Sequence, residues 1–477
     1  MNTTMKAPAS RLQGGRAVFL QGHQAGRPVR AQNLIATLLV ALAVVLGGGG
    51  SPAPLPELAL QLSSLMALVA WAFLAQAPLP TAARQAWTIA AILVALPLVQ
   101  LIPLPPFIWH ALPARQTEVM ALDLVGAADS WRPWSVAPAR TLASLLAVMV
   151  PAIVLLMTAS LGRAGRGMIM AALAGTGMLA LLIGVAQMTG GSAQTFRFYV
   201  PDVGYLNGFQ ANHNSAADVL LIAMIAFAAA VREWADRRGL PHHAGYRLGL
   251  IGGATVLFSL GVFLTASRAG ALLLPVAWAA VLLIVWPWLR VSRRTWTVIA
   301  LAGLACVVAA AIFLQSNGVI VRITGRFEFA GEFRPQLWKD ARYAIAQYFP
   351  LGAGVGTFAP VFIAIERLEV VDPSVPNRAH NELLEVMMEA GVPGVLALMA
   401  ISLILTRLLL AGWRRAPAGS PAQVLLAGGA FSVIALHSLV DYPLRSMSLA
   451  CIAAAAAGLL MPAPGTAAQA GAAPERN

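Results

Sequence analysis

Apolar runs long enough to cross a lipid bilayer recur about twelve times along this chain, and they constrain its fold more than any other feature. A hydrocarbon core takes roughly 20 apolar residues in helical form. The runs lie near 34–50, 57–76, 86–104, 141–159, 167–189, 215–231, 248–266, 270–289, 296–315, 391–411, 422–440 and 447–462. In lipid the backbone polar groups must be paired within the chain, and spans of this length pair them as helices. The expected fold is all-α: a polytopic integral membrane protein of about 12 transmembrane helices. Only 11% of the 477 residues are charged, against about a quarter in a soluble domain. The 2 cysteines, Cys306 and Cys451, each sit inside an apolar run, so neither a disulfide framework nor a cysteine metal site is expected.

The formal net charge of +13 would suit a nucleic-acid partner, but its placement argues otherwise. Residues 1–33 carry Lys6, Arg11, Arg16, Arg27 and Arg30 and no acid, and they read as a disordered basic tail retained in the cytoplasm. The first span lacks a small-residue cleavage site and reads as a signal anchor. Alternating sides from there puts 19 basic residues and 3 acids on the inner side, and 13 basic residues and 16 acids on the outer side. The positive excess is therefore a topology signal, with both termini inside, and no nucleic-acid partner is expected. The resulting units are a cytoplasmic tail (1–33), three helices with a Trp/Pro-rich outer loop (34–140), six helices (141–315), a large outer loop (316–390), three helices (391–462) and a second cytoplasmic tail (463–477). In a bacterium with two membranes this is an inner-membrane protein whose outer loops face the periplasm.

Chemistry on that outer face has no nucleotide pool, so a transfer reaction there needs a donor that arrives already activated, such as a lipid-linked diphosphate glycan. Such a donor requires cations at its phosphates and a base for the acceptor hydroxyl. Arg268, in the tight turn TASRAG between two apolar runs, is a functional candidate because an arginine at a membrane edge is costly to place. The bland alternative is a side chain snorkelling to the interface. The large loop adds Arg322, Arg326, Arg334 and Arg378, with Arg334 at the start of an amphipathic helix over 335–348. Guanidinium suits phosphate through its planar fork of donors. The glycines of PLGAGVGTF, 350–358, read as a tight structural turn, since no strand precedes them.

His380, in the stretch RAHNELLEVMMEAGVPG, is the one histidine of the large loop. A neutral imidazole can accept a hydroxyl proton near pH 7, and the alternative is a capping or interfacial histidine. Asn381 would orient a ring or cap the following helix. Glu382, Glu385 and Glu389 share a helical face that reads as solvated surface, with the alternative that one of these acids holds His380 or an arginine. Asn212, His213 and Asn214 lie at the outer start of the sixth span with Asp218 a turn deeper, and His437 and Asp441 stand at i, i+4 near the outer end of the eleventh. Each group either lines a site or serves as polar packing between helices. No HExxH, paired histidine ligands or outer Asp-x-Asp is present, so no metal or other cofactor is expected and arginine is left to neutralise the phosphates.

Several motifs in order now carry a resemblance. His380 and Asn381 are followed after nine residues by Gly391 and Gly394; SRAG stands at 267–270, Asn-His-Asn at 212–214, and a run from Arg334 and Trp338 leads to the glycines ending at Phe358. Over about 140–460 the chain resembles the bacterial O-antigen ligase and polymerase superfamily. Members often show Asn-Arg-Asn-His where this chain has Asn212, His213, Asn214 and Ser215. The resemblance implies a GT-C-type membrane glycosyltransferase that works without metal on an undecaprenyl-diphosphate-linked glycan. It implies that Arg268 and Arg334 hold the diphosphate and that His380 is the base or orients the acceptor. The acceptor stays open: lipid A-core for a ligase, a carrier-bound glycan for an O-antigen or exopolysaccharide polymerase, or a protein hydroxyl. A lipid-linked glycan flippase would place charges through the midplane, and a non-catalytic scaffold would leave Arg268, Arg334 and His380 unexplained.

Overall fold

A computed structural model describes residues 13–49, 54–74, 82–189, 199, 204–238, 244–289, 334–366, 376–414 and 420–462. Among these the fold is helical, as expected, with the elements α1 (Gln13–Leu46), α2 (Pro54–Leu74), α3 (Arg84–Gln100), α4 (Pro106–Trp109), α5 (Gln116–Asp123), α6 (Pro138–Ala159), α7 (Arg163–Thr189), α8 (His213–Arg238), α9 (Ala244–Leu264) and α10 (Arg268–Val285). Further on come α11 (Arg334–Tyr348), α12 (Phe358–Ile365), α13 (Glu382–Arg414), α14 (Pro421–His437) and α15 (Met447–Leu460). A two-residue antiparallel pair, β1 (Pro103–Leu104) with β2 (Arg132–Pro133), closes the loop between α3 and α6. Eight helices are long and apolar enough to cross a membrane, and α3, α14 and α15 are shorter apolar helices. These account for eleven of the expected spans. The run near 296–315 lies outside the described residues, as do Arg322 and Arg326.

Two boundaries differ from expectation. α1 begins at Gln13, within the segment expected to be a disordered tail. The apolar span has already met the cost of nucleation, and Arg, Gln and Ala extend an existing helix cheaply. The second difference is α13, which starts at Glu382 and breaks at Gly391, where φ is 55° and ψ is −145°.

α8 is the axis of the bundle: 83% of its span is buried, against 6% for α13 at the periphery. α7, α9, α10 and α14 pack around α8. Small residues bring the backbones close; a methyl placed on Gly177 of α7 would lie 2.1 Å from the Ala223 side chain of α8. Apolar side chains such as Leu62 and Met66 of α2 and Leu396 and Met399 of α13 point away from the bundle, as lipid-facing positions should.

The two ends of the bundle differ chemically. At one end Arg163, opening α7, meets Glu233 near the end of α8 at 2.6 Å. Arg166 there donates to the backbone carbonyls of Leu161, Leu459 and Met461 at 2.8–3.2 Å. Arg237 and Arg238 close α8 at this same basic end. The opposite end collects the segments 101–137, 334–366, 376–390 and 438–446, and is called the loop end below.

The break in α13 is held from outside. Carbonyls that a continuous helix would pair internally instead accept from the glycine-rich turn: Met388 O from Ala353 N at 2.9 Å and Glu389 O from Gly354 N at 2.7 Å. Val392 N donates to Pro350 O at 2.8 Å across the break. The turn is thus a cap for the first half of α13. A Cβ on Gly391 would sit 2.1 Å from Pro350 O, on a backbone conformation that costs other residues about 1–3 kcal/mol. Gly391→Ala should lower the thermal midpoint of the detergent-solubilised protein by several degrees, whereas Gly175→Ala, which meets nothing within 4 Å, should leave it in place.

Candidate active site

His380 sits just before α13 with φ of 47°, an uncommon left-handed conformation that histidine tolerates better than most residues. Its neighbours hold it there. Asn381 caps α13, its Oδ1 accepting from Leu384 N at 3.1 Å, while its Nδ2 donates to Leu439 O at 2.9 Å. Asn381 is therefore engaged with backbone on both sides, which fits a positioning role. Trp338 of α11 donates from its indole to Ala379 O at 3.0 Å, tying the helix that begins at Arg334 to the residue before His380.

Nδ1 of His380 lies 3.0 Å from Oδ1 of Asp441. Burial works against the charge on Asp441, but the hydrogen bond and charge of His380, followed by His437 and Arg334, outweigh it and hold the carboxyl below its ordinary range. An ionised Asp441 accepts, so Nδ1 of His380 donates and Nε2 is the basic nitrogen. The second oxygen of Asp441 accepts from Asn214 Nδ2 at 2.6 Å. Tyr442 packs edge-on to His380 with ring centroids 4.9 Å apart, and its hydroxyl accepts from Asn212 Nδ2 at 3.3 Å. Burial and the charge of Asp441 push the Tyr442 phenol up to about 12, so it stays neutral.

The sequence sets His437 and Asp441 at i, i+4, and the structure holds them 4.0 Å apart while giving each a closer partner. α14 ends at His437, so Asp441 lies in the following turn and its carboxylate reaches His380 and Asn214. His437 turns instead to α8, where its Nδ1 is 2.6 Å from Oδ1 of Asp218. His213 is buried at the start of α8 beside the Tyr205 ring at 5.5 Å. Arg268 is half-buried at the first turn of α10, whose cap is Ser267 Oγ accepting from Gly270 N at 3.0 Å. Gly270 packs against Ala217, which sets Arg268 at the α8 end that carries His213 and Asp218.

The glutamate stripe is not the solvated face first expected; its acids hold arginines, the alternative reading. Glu382, Glu385 and Glu389 are 5%, 0% and 1% exposed; they form an ion cluster and not a solvated face. Arg445, in the short helical turn Pro443–Arg445, donates to Glu382 at 2.9 Å and to Glu389 at 2.7 Å and lies 3.5 Å from Glu385. Arg378 pairs with Glu385 at 2.8 Å, which engages the guanidinium expected to hold diphosphate. Burial opposes the charge of Arg445, but Glu389, Glu385 and Glu382 hold its proton more firmly than usual. Arg445 and Tyr442 were missed from sequence. The signal for Arg445 was present: an arginine in a loop of a few residues between two apolar runs, the same feature that singles out Arg268. Among the described residues no group of three or more His, Cys, Asp or Glu is arranged to hold a metal ion.

Residues 253–399 match the O-antigen ligase family model. The matched region runs from α9 to just beyond the break in α13, so it contains Arg268, Arg334, Arg378, His380, Gly391 and Gly394. It bears out the resemblance drawn from the motifs and supports a membrane glycosyltransferase-like enzyme of the O-antigen ligase or polymerase kind, acting on a lipid-linked glycan and an acceptor. No curated protein matches the chain.

Removing one partner from a buried ion cluster leaves uncompensated charge, at a cost of about 3–5 kcal/mol. Arg445→Gln should therefore lower thermal stability in detergent well beyond Arg378→Gln, whose side chain is 21% exposed. Equal effects from the two variants would argue against Arg445 as the centre of the cluster.

Proposed function

We propose that the protein transfers a glycan from undecaprenyl diphosphate to an acceptor hydroxyl at the loop end of the bundle, as an O-antigen ligase does. The observation that carries this reading is the His380–Asp441 pair, whose histidine lies in the O-antigen ligase-like region and whose carboxylate feels the charge of Arg334. A histidine oriented by an ionised aspartate is suited to general-base work. Arginines at the same end suit the diphosphate through bidentate hydrogen bonds.

In the proposed step the acceptor hydroxyl oxygen attacks the anomeric carbon while its proton moves to Nε2 of His380. The bond from that carbon to the phosphate oxygen breaks, and the lipid diphosphate departs with the bonding electron pair. Arg268 and Arg334 stabilise the charge that grows on it, with no step assigned to a metal, and attack from the opposite face inverts the anomeric centre. Asp441 keeps its charge and balances the imidazolium that forms at His380. The basic end of the bundle supports an orientation with both termini in the cytoplasm and the site on the periplasmic side of the inner membrane.

Reconstituted protein with an undecaprenyl-diphosphate-linked glycan and candidate acceptors tests the reading. His380→Ala and Arg268→Ala should abolish transfer while the protein still inserts, and Asp441→Asn should slow it about 10²–10⁴-fold. Undiminished transfer by well-expressed His380→Ala would sink the mechanism. In a deletion strain, lipid A-core left uncapped while polymer persists on its carrier would mark a ligase, and accumulation of single repeat units would mark a polymerase. Unchanged lipopolysaccharide and secreted polymer would direct the search to protein acceptors.

A further inference from the structure

Behind the His380–Asp441 pair lies a second aspartate–histidine pair that the proposed transfer does not use. Asp218 and His437 bridge α8 and α14 with both side chains 1% exposed. Their remaining polar atoms, Oδ2 of Asp218 and Nε2 of His437, have no hydrogen-bond partner among the described residues. Nε2 of His437 lies 4.0 Å from Oδ2 of Asp441. The four side chains therefore alternate, Asp218, His437, Asp441, His380, from the bundle interior towards its loop end.

The alternation constrains where protons sit. A neutral His437 donating from Nδ1 to Asp218 would aim the lone pair of Nε2 at the Asp441 carboxylate. Two buried carboxylates would then flank one uncharged ring, an arrangement with a large desolvation cost. An imidazolium places an N–H towards each carboxylate, at 2.6 Å from Asp218 and 4.0 Å from Asp441, and its charge offsets part of that cost. The groups that face His437 agree with this: Asp218 from α8 and Asp441 from its own loop are acidic, and Arg334 of α11 contributes the opposing positive charge. α10 carries only Arg268 and α15 only Cys451 as ionisable residues, while the glutamates of α13 are committed to Arg378 and Arg445.

We propose that Asp218 and His437 are positioning residues that hold a protonated imidazole behind Asp441. This rests on the reading of His380 as the base. Asp441 sits between the two imidazoles, so a cation at His437 offsets part of the carboxylate field that acts on His380. During transfer the acceptor proton still goes to Nε2 of His380; His437 keeps both of its protons and Asp218 its charge.

The test is the pH profile of kcat in reconstituted protein for wild type, Asp218→Asn, His437→Gln and Asp218→Glu. Removing the inner cation with His437→Gln should move the acid limb up by about one pH unit, a roughly tenfold loss on that limb that recovers at higher pH. Asp218→Asn should follow it, because His437 then lacks the carboxylate that holds its second proton. KM for the lipid-linked donor should stay near the wild-type value, and Asp218→Glu should keep the wild-type limb. Lower rates with an unmoved limb in both Asp218→Asn and His437→Gln would mean a merely structural pair and overturn the proposal. Should neither variant accumulate, wild-type protein labelled with ¹⁵N-histidine answers instead. An imidazolium signal persisting at about pH 8 is expected, and only neutral histidines there would overturn it. Retention of transfer by His380→Ala is a separate result, which removes the base reading itself whatever the profiles show.

Discussion

The ion cluster around Arg445 is the interaction on which the loop end depends. It joins two pieces of chain that sequence separates by more than fifty residues: the first half of α13 and the turn after α14. The first piece follows His380 and the second follows Asp441, so clamping one to the other sets the 3.0 Å approach of imidazole to carboxylate. Glu382 N also donates to Ser438 O at 2.9 Å, and Asn381 reaches Leu439 O, so backbone contacts repeat the same join. A buried cluster of this kind contributes little net stability, since desolvation offsets most of the attraction. Its value lies in allowing one arrangement, because any slip strands a glutamate without its arginine.

The break at Gly391 belongs to the same construction. A continuous helix would carry Glu382–Ala390 along the line of the span. The break lets that segment take a direction of its own, and the turn around Gly352 and Gly354 receives the carbonyls that the break exposes. Glu389 works on both sides of this joint: its carbonyl accepts from Gly354 N and Gln100 Nε2, and its carboxylate accepts from Phe358 N and Arg445. One residue thereby couples α3, the glycine turn, α12 and the Arg445 turn.

Much of this was legible in the sequence, because membrane spans write themselves in long apolar runs and because polar residues beside such runs are expensive. His380, Asn212, Asn214, Asp218, His437 and Asp441 all stood out for that reason, and the structure brings them to one end of the bundle. What could not be read was the pairing. Spacing at i, i+4 suggested His437 with Asp441, yet the helix stops at His437 and each residue finds a closer partner on another element, Asp218 on α8 and His380 before α13. Helical spacing put Glu382, Glu385 and Glu389 on one face correctly, but a stripe of acids looks the same facing water or facing a buried arginine. Periodicity reports which residues share a face, and only tertiary structure decides what that face meets.

The arginines separate along similar lines. Arg115 and Arg166 are buried against backbone carbonyls, and Arg378 and Arg445 against glutamates. These four hold segments together. Arg378 shares its charge with Glu385, and on the proposed reading the resemblance to O-antigen ligases assigns the diphosphate to Arg268 and Arg334. Both stand at helix starts, where the positive end of the backbone dipole adds to the guanidinium. In a chain with so few charges, function follows from which of them the fold turns inward on one another and which it leaves at the loop end.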